Sequence, residues 1–173
     1  MPRKPPKPTT QRSVRYHALT YLRRYSAPRA QLRRVLLDRA RRSVVEHGGD
    51  LEEIQDWIDS TLDDMERLGY VNDDAYARAK ATKFRTRGLS ERAIRSKLSA
   101  KGVRSEAIAA AMIATRPEGD ADLMAAKTYV RKRRMGPHRT KEATPELIRK
   151  ELGRLARAGF SYGVAKAALE MES

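Results

Sequence analysis

Cysteine is absent from the 173 residues of this chain. Without a thiol, the protein has no disulfide, no thiolate metal ligand and no cysteine nucleophile. Long hydrophobic runs are also missing, and none approaches the roughly 18 residues that a membrane-spanning helix needs. The N-terminus is basic and rich in proline, and no hydrophobic signal segment follows it. These absences predict a soluble, cytoplasmic protein without a membrane partner.

Groupings that would indicate catalysis are missing as well. There is no glycine-rich phosphate loop and no nucleophile with a base partner. The acid pairs Asp63-Asp64 and Asp73-Asp74 raise the alternative of a nuclease metal site, but they are better explained as a solvated helix face and as first-turn acids behind a cap at Asn72. The histidines lie in separate regions without metal-ligand spacing; they are His17, His47 and His138. The sequence predicts a protein that is not an enzyme and uses no metal or cofactor.

Acidic residues are scarce outside one segment. The chain has 37 Lys and Arg against 22 Asp and Glu, a net charge of +15. Ten of the acids, and only one basic residue, fall within residues 48–77, so a basic block lies on each side of an acidic one. Such a charge favours a polyanionic partner, with nucleic acid as the first choice. The acidic block would orient the basic surfaces or meet basic groups on a protein partner.

No segment has the alternating pattern of a strand, whereas apolar residues recur at helical spacing along most of the chain. This pattern predicts an all-α protein of about nine helices. Glycines are predicted to end five of them, at Gly48-Gly49, Gly69, Gly88, Gly102 and Gly159. Side chains suited to capping helix N-termini come before or at the predicted starts: Asp50, Asn72, Ser90, Ser105, Thr144 and Ser161.

A short apolar and basic motif occurs three times. Leu32-Arg33-x-x-Leu36 matches Ile94-Arg95-x-x-Leu98 and Ile148-Arg149-x-x-Leu152. Three copies predict three three-helix repeats, and because each unit buries little surface alone, the repeats are expected to form an elongated tandem array. The predicted divisions are a disordered basic arm at 1–13, followed by repeats at 14–70, 71–117 and 118–173.

The arginine of each motif copy follows a core position, so it lies about 100° around the helix from a buried residue. One hypothesis is that Arg33, Arg95 and Arg149 line a face that binds phosphates or acidic protein surfaces. The rival hypothesis is that each arginine pairs with an acid inside its own repeat. Aromatic residues near basic ones, among them Tyr129, are predicted to pack in the core, although stacking on unpaired bases is the alternative.

Three longer segments resemble one known family. They are "ALTYLRRYSAPRAQLRRVL" at 18–36, "MERLGYVNDDAYARA" at 65–79 and "LARAGFSYGVAKAAL" at 155–169. Their order and spacing are similar to those of the RecX family, the bacterial regulators of the RecA recombinase, from about Val14 to Leu169. The chain departs from the family pattern at Pro28, where a serine is usual, and at Ala158, where a second basic residue often precedes Gly-Phe.

The resemblance implies tandem three-helix repeats similar to helix-turn-helix modules without a wing. It also implies binding within the groove of the RecA–single-stranded DNA filament. The expected effect is modulation, usually inhibition, of filament growth, ATP hydrolysis, strand exchange and LexA co-cleavage, and hence of DNA repair and the SOS response. The expected partners are the RecA filament and DNA, single- or double-stranded, with the protein acting as a monomer. The alternative is a general helix-turn-helix-like DNA-binding protein that acts independently of RecA.

The candidate contacts to RecA or DNA are basic residues drawn from clusters in all three repeats. They are Arg23, Arg24, Arg33, Arg34, Arg85, Arg87, Arg95, Lys97, Arg131, Arg133, Arg134, Arg149, Arg154 and Arg157. A single cluster of this kind is commonly just a solvated face. The recurrence of the clusters at equivalent places in the repeats is what favours a binding surface.

Overall fold

A computed structural model describes residues 7–170. Within that range the chain forms nine α-helices and no strand, which confirms the predicted all-α fold. In chain order the helices are α1 Gln11–Leu22, α2 Arg29–His47, α3 Leu51–Arg67, α4 Asp73–Thr86, α5 Glu91–Ser99, α6 Ser105–Ala114, α7 Ala121–Lys132, α8 Pro145–Arg157 and α9 Tyr162–Glu170. A short 3-10 helix, Gly136–His138, lies between α7 and α8.

Most predicted caps are confirmed by hydrogen bonds to the first turn of a helix. The side chains of Asp50, Ser90 and Thr144 accept from backbone N–H groups of α3, α5 and α8. Asn72 and Ser161 do the same for α4 and α9. The prediction for Ser105 is wrong, because this residue lies inside α6 and its hydroxyl donates to Glu106 over 3.0 Å.

The predicted N-terminal arm is shorter than expected. Thr10 and Ser13 form a reciprocal capping box, so α1 begins at Gln11 and residues 11–13 are helical rather than disordered. Residues 1–6 of the arm, and residues 171–173 of the last predicted repeat, lie outside the described residues.

The chain divides into two compact units, and the first contains residues up to Tyr76 together with Lys101–Arg104. Its core lies between α1, α2 and α3, where the largest fully buried side chains are Leu32, Ile58, Leu62 and Met65. Burial of such side chains is worth about 1.5–3 kcal/mol each, so this core is the main support of the first unit.

The second unit contains Ala77–Ala100 and the residues from Ser105 onwards. Helices α7, α8 and α9 share a core that includes Val130, Met135, Leu155 and Phe160. Residues 77–100 and 105–117 of the predicted second repeat therefore fold with the predicted third repeat, and the division into three repeats stays a prediction. None of the described helices is long and apolar enough to cross a membrane.

Candidate functional site: a basic groove

A groove of about 1010 Å³ lies in the second unit, between the end of α4, α5, the end of α7 and the end of α8. Seven of its fourteen lining residues are Lys or Arg, and none is Asp or Glu. The seven are Arg87, Arg92, Lys97, Lys132, Arg133, Arg154 and Arg157. We call this feature the basic groove. Because a concave surface with charges of one sign focuses the electric field, it attracts anions.

One junction of the basic groove joins the start of α5 to the end of α8. Ser90 is fully buried, accepts from the N–H of Ala93 as the α5 cap, and donates its hydroxyl to the carbonyl oxygen of Ala158 over 2.8 Å. Gly159 has a φ of +97°, and a Cβ atom there would lie 2.5 Å from the Ser90 oxygen. Only glycine permits this approach, so these residues fix the distance between α5 and α8.

A second junction joins α4 to α7. The Lys132 ammonium group donates to the carbonyl oxygens of Thr86 and Arg87 at 3.4 and 3.3 Å. These carbonyls belong to the C-terminal end of α4, where backbone acceptors lack helical partners and the helix dipole favours a cation. Gly88, with a φ of +80°, lets the chain turn close to Thr128 of α7. Lys132 is thus a structural contact as well as a lining residue.

Arg133 is held over an aromatic ring at the edge of the basic groove. Its guanidinium carbon lies 3.8 Å from the centroid of the Tyr129 ring. That ring packs edge-to-face on Phe160, with centroids 5.8 Å apart. The cation–π contact restricts an otherwise flexible side chain, which remains exposed to solvent.

Most cations of the basic groove have no partner among residues 7–170. The side chains of Arg87, Lys97, Arg154 and Arg157 form no hydrogen bond or ion pair there, and Arg92 makes a single long bond to the carbonyl oxygen of Ala156, at 3.5 Å. Like charges held close together repel, so an anion in the basic groove would relieve that repulsion. The arrangement is suited to binding an anion.

Five of the predicted contact residues line the basic groove: Arg87, Lys97, Arg133, Arg154 and Arg157. The sequence reasoning missed Arg92 and Lys132. Lys132 lies within the basic run at 131–134 that supplied other candidates, so a signal for it was present. Arg92 gave no such signal, because its role depends on the approach of α8 to α5.

The other predicted contacts lie elsewhere. Arg23, Arg24 and Arg34 are exposed on the first unit. Four more are exposed on the second unit but do not line the basic groove: Arg95, Arg131, Arg134 and Arg149. The structure brings none of these seven into the basic groove.

The prediction that Arg85 contacts RecA or DNA needs correction. Its side chain is only 12% exposed, and it donates to Glu91, to Thr115 and to the carbonyl oxygen of Met112 at 3.0–3.2 Å. These bonds join α4, α5 and α6 inside the second unit. The structure therefore places Arg85 in the interior rather than at a partner surface.

The arginine that recurs in the three motif copies has different surroundings in each. Arg33 forms two hydrogen bonds with Asp59, at 2.7 and 3.0 Å, and this contact lowers the pKa of the Asp59 carboxyl. Pairing within the repeat is thus confirmed for Arg33. It is wrong for Arg95 and Arg149, which have no ion pair or hydrogen-bond partner in the described part of the chain.

The described residues contain no group of three or more His, Asp or Glu side chains that could hold a metal ion.

Comparisons with known proteins point to one family. Residues 72–112 match the family model described as "RecX, second three-helix domain". The chain is 44% identical over 155 residues to the "Regulatory protein RecX" of Myxococcus xanthus (strain DK1622), which covers 88% of this chain and 82% of that protein. It is 35% identical over 101 residues to the protein of the same name from Agrobacterium fabrum (strain C58 / ATCC 33970), covering 58% of this chain and 52% of the other.

Solved structures give the same fold. The crystal structure of RecX from Lactobacillus salivarius matches with a TM-score of 0.65 and 19% identity, over 92% of this chain and 94% of that one. A second crystal structure, of a regulatory protein RecX, also has a TM-score of 0.65, with 17% identity over 93% of this chain and 72% of that one. At these identities the likeness concerns the fold alone.

Proposed function

Because this chain belongs to the RecX family, we propose that it regulates the RecA recombinase, mainly as an inhibitor, by binding within the groove of the RecA–single-stranded DNA filament. The observation that supports this mode of action is the basic groove, with seven cations and no acid among its lining residues. A protein seated along the filament would bridge adjacent RecA protomers and block extension. With filament extension blocked, ATP hydrolysis, strand exchange and LexA co-cleavage would decrease. DNA repair and the SOS response would be altered as a result.

The proposed mechanism is physical rather than catalytic. Arginine guanidinium groups form paired, charge-assisted hydrogen bonds with phosphates and carboxylates alike, so the basic groove suits either component of the filament. The regulator would act as a cytoplasmic monomer.

ATP hydrolysis by RecA on single-stranded DNA tests this proposal. We expect substoichiometric amounts of the protein to suppress hydrolysis and to shorten the filaments seen by electron microscopy. The double substitution Arg154→Glu and Arg157→Glu reverses two cations of the basic groove and is expected to abolish the suppression.

The matched control carries Arg116→Glu and Lys127→Glu. These residues are exposed on the same unit, lie outside the basic groove and change the net charge by the same amount. The control is expected to inhibit RecA like the unaltered protein. Hydrolysis and filament length that stay unchanged even in excess protein would refute the proposal.

The second candidate is a general DNA-binding protein that acts independently of RecA. The lack of acids in the basic groove favours it, because acidic side chains would repel a phosphate backbone. Binding to a phosphate backbone weakens steeply and log-linearly with salt, because counterions are released. If inhibition of RecA persists at a salt concentration that removes binding to free DNA, RecA is the target; if both vanish in parallel, the second candidate is correct.

A further inference from the structure

We propose that Asp122 is a positioning residue of the basic groove. From the first turn of α7, its carboxylate holds the first N–H group of α5 and so sets where the lining residues Arg92 and Lys97 stand. The inference rests on the proposed function, because the basic groove is the surface assigned there to the regulation of RecA. Asp122 itself does not line the basic groove.

The contact joins two helices through residues that are 31 positions apart in the chain. The N–H of Glu91 donates to Oδ1 of Asp122 over 2.8 Å in a partly buried bond. The first N–H groups of a helix have no acceptor within that helix, so an acceptor from elsewhere satisfies the donor and fixes where the helix begins. The Ser90 side chain serves the N–H of Ala93, which leaves the N–H of Glu91 to Asp122.

Helix α7 connects this contact to the basic groove. Asp120 caps the helix by accepting from the N–H groups of Asp122 and Leu123, both at 3.0 Å, and so orders the turn that carries Asp122. The other end of α7 supplies Lys132 and Arg133 to the basic groove. Asp122 and Lys132 are about 15 Å apart along the axis. One helix thus holds the start of α5 and carries groove cations of its own.

The position of α5 depends on what holds its start, because the helix has only nine residues. Hydrogen bonds join its start to α4 and α8, and the Asp122 bond adds the connection to α7. Arg92 comes directly after Glu91, and Lys97 lies about 9 Å from Glu91 along the axis. Without the Asp122 carboxylate, α5 would shift relative to α7, and both cations would move with it.

The first unit contains the same kind of contact without a basic groove. The N–H of Arg29, the first residue of α2, donates to Oδ1 of Asp73 over 2.8 Å, and Asp73 lies in the first turn of α4. Pro28 precedes α2 and offers no side-chain cap. All residues that line the basic groove belong to the second unit. Asp73 is therefore a matched control for Asp122.

Helix α8 shows why these two acids are needed. It begins with Pro145, whose nitrogen carries no hydrogen, so the donor that Asp73 and Asp122 satisfy does not exist there. Acids from another helix thus serve α2 and α5, where the first residue has an N–H group, and α8 requires none.

The test compares Asp122→Ala with Asp73→Ala in the full-length protein. Each variant loses one acceptor at a helix start, so Tm is expected to fall by about 2–8 °C in both. Inhibition of RecA ATP hydrolysis is expected to require about tenfold more of the Asp122→Ala protein, which corresponds to one charge-assisted hydrogen bond. Asp73→Ala should inhibit like the unaltered protein. Asp122→Asn keeps an acceptor oxygen and should restore inhibition.

A second measurement follows the position of α5 without RecA. Because the chain has no cysteine, spin labels can be attached through Ser99→Cys in α5 and Lys127→Cys in α7, which are exposed and outside the basic groove. Double electron–electron resonance is expected to give a broader distance distribution for Asp122→Ala than for the other proteins. If Asp122→Ala does not fold, Asp122→Glu replaces it. Its carboxylate is one methylene farther from the backbone, so the distance should change and inhibition should weaken.

Three results would overturn the inference: equal losses of inhibition in Asp122→Ala and Asp73→Ala, no recovery in Asp122→Asn, or an unchanged distance distribution in Asp122→Ala. A broadened distribution with full inhibition would overturn it too, since the position of α5 would not set the inhibition. If the unaltered protein has no effect on RecA, the proposed function fails, and the distance distributions alone decide whether Asp122 positions α5.

Discussion

The arginines that face α3 in the first unit differ in their partners from the arginines of the basic groove in the second unit. In the first unit, several arginines are paired with acids of α3: Arg15 with Asp64, Arg29 with Asp63 and Glu66, and Arg33 with Asp59, all at 2.7–2.9 Å. In the second unit, the cations of the basic groove face no acid. Whether an arginine is available to a partner thus depends on the helix opposite, and not on its place in a repeat.

The ion pairs of the two units also differ in burial. Arg33 and Asp59 are 38% and 43% exposed, whereas Arg139 and Glu151 in the second unit are 17% and 3% exposed. Solvent screens the exposed pair, so it contributes little to stability. Removing one partner of the buried pair leaves an uncompensated charge in the interior and is strongly destabilising. The second unit therefore has a buried ion pair, whereas the cations of its basic groove face no acid.

The largest effect is expected from Glu151→Ala. The Glu151 carboxylate accepts from Arg139 over 2.7 Å and from the N–H of Gly136 over 3.2 Å, so its loss strands a buried guanidinium. The free energy of unfolding is expected to fall by about 3–5 kcal/mol, measured by urea denaturation. Glu151→Gln retains a hydrogen-bond acceptor, so its free energy of unfolding should fall clearly less. A loss below about 1 kcal/mol, typical of a surface pair, would remove the contrast between the units.

A smaller effect is expected from Gly159→Ala. Because Gly159 has a positive φ and an added Cβ would clash with Ser90, we expect the free energy of unfolding to fall by about 1–3 kcal/mol. We also expect the basic groove to bind anions more weakly, because α5 and α8 would move apart. The control is Gly163→Ala in α9, where an added Cβ meets no atom within 4 Å and a change of about 0.5–1 kcal/mol in the stabilising direction is expected. Equal effects at both glycines, in thermal unfolding and anisotropy, would contradict the role of this junction.

The surface pair of the first unit is expected to matter less. A double-mutant cycle of Arg33→Ala and Asp59→Ala should give a coupling of about 0.2–1 kcal/mol, because both groups are well exposed. DNA binding and RecA inhibition should not change, whereas Arg154→Ala should weaken both. Arg34→Ala, an exposed neighbour without a partner among the described residues, serves as control. If Arg33→Ala abolished the inhibition of RecA, Arg33 would be part of the binding surface after all.

The smallest effect concerns acid pH and has opposite signs in the two units. The hydrogen bond from Arg33 lowers the pKa of Asp59, so its stabilisation exists above the unfolded value, near 3.9, and is lost as the pH falls through the lowered folded value. Burial raises the pKa of Asp122, so the native state takes up this proton first and gains stability as the pH falls through that raised value.

Urea unfolding between about pH 6 and pH 3 separates the two groups. Asp59→Asn should flatten the loss of stability at the acid end of this range. Asp122→Asn should remove a small gain. If both substitutions changed the pH dependence of the free energy of unfolding in the same direction, the two carboxyls would have similar surroundings.

Local features of the fold were predictable from the sequence, and long-range ones were not. Helix ends depend on neighbouring residues, so the caps at Asp50 and Ser90 could be predicted directly. The cap predicted at Ser105 was wrong by one position, because Ser105 is the first residue of α6. The pairing of Arg33 with Asp59 spans 26 residues and two helices, and helical periodicity does not determine which helices face each other. For the same reason the sequence supplied five of the seven basic residues of the groove but not the groove itself.

The bond from Ser90 to Ala158 joins positions 68 residues apart. Since a ribosome synthesises the N-terminal part first, α5 is made before α8. A nascent chain that ends before α8 lacks the lining residues Arg154, Arg157, Ala158 and Gly159 of the basic groove. The lining of the basic groove is thus complete only once α8 has been synthesised.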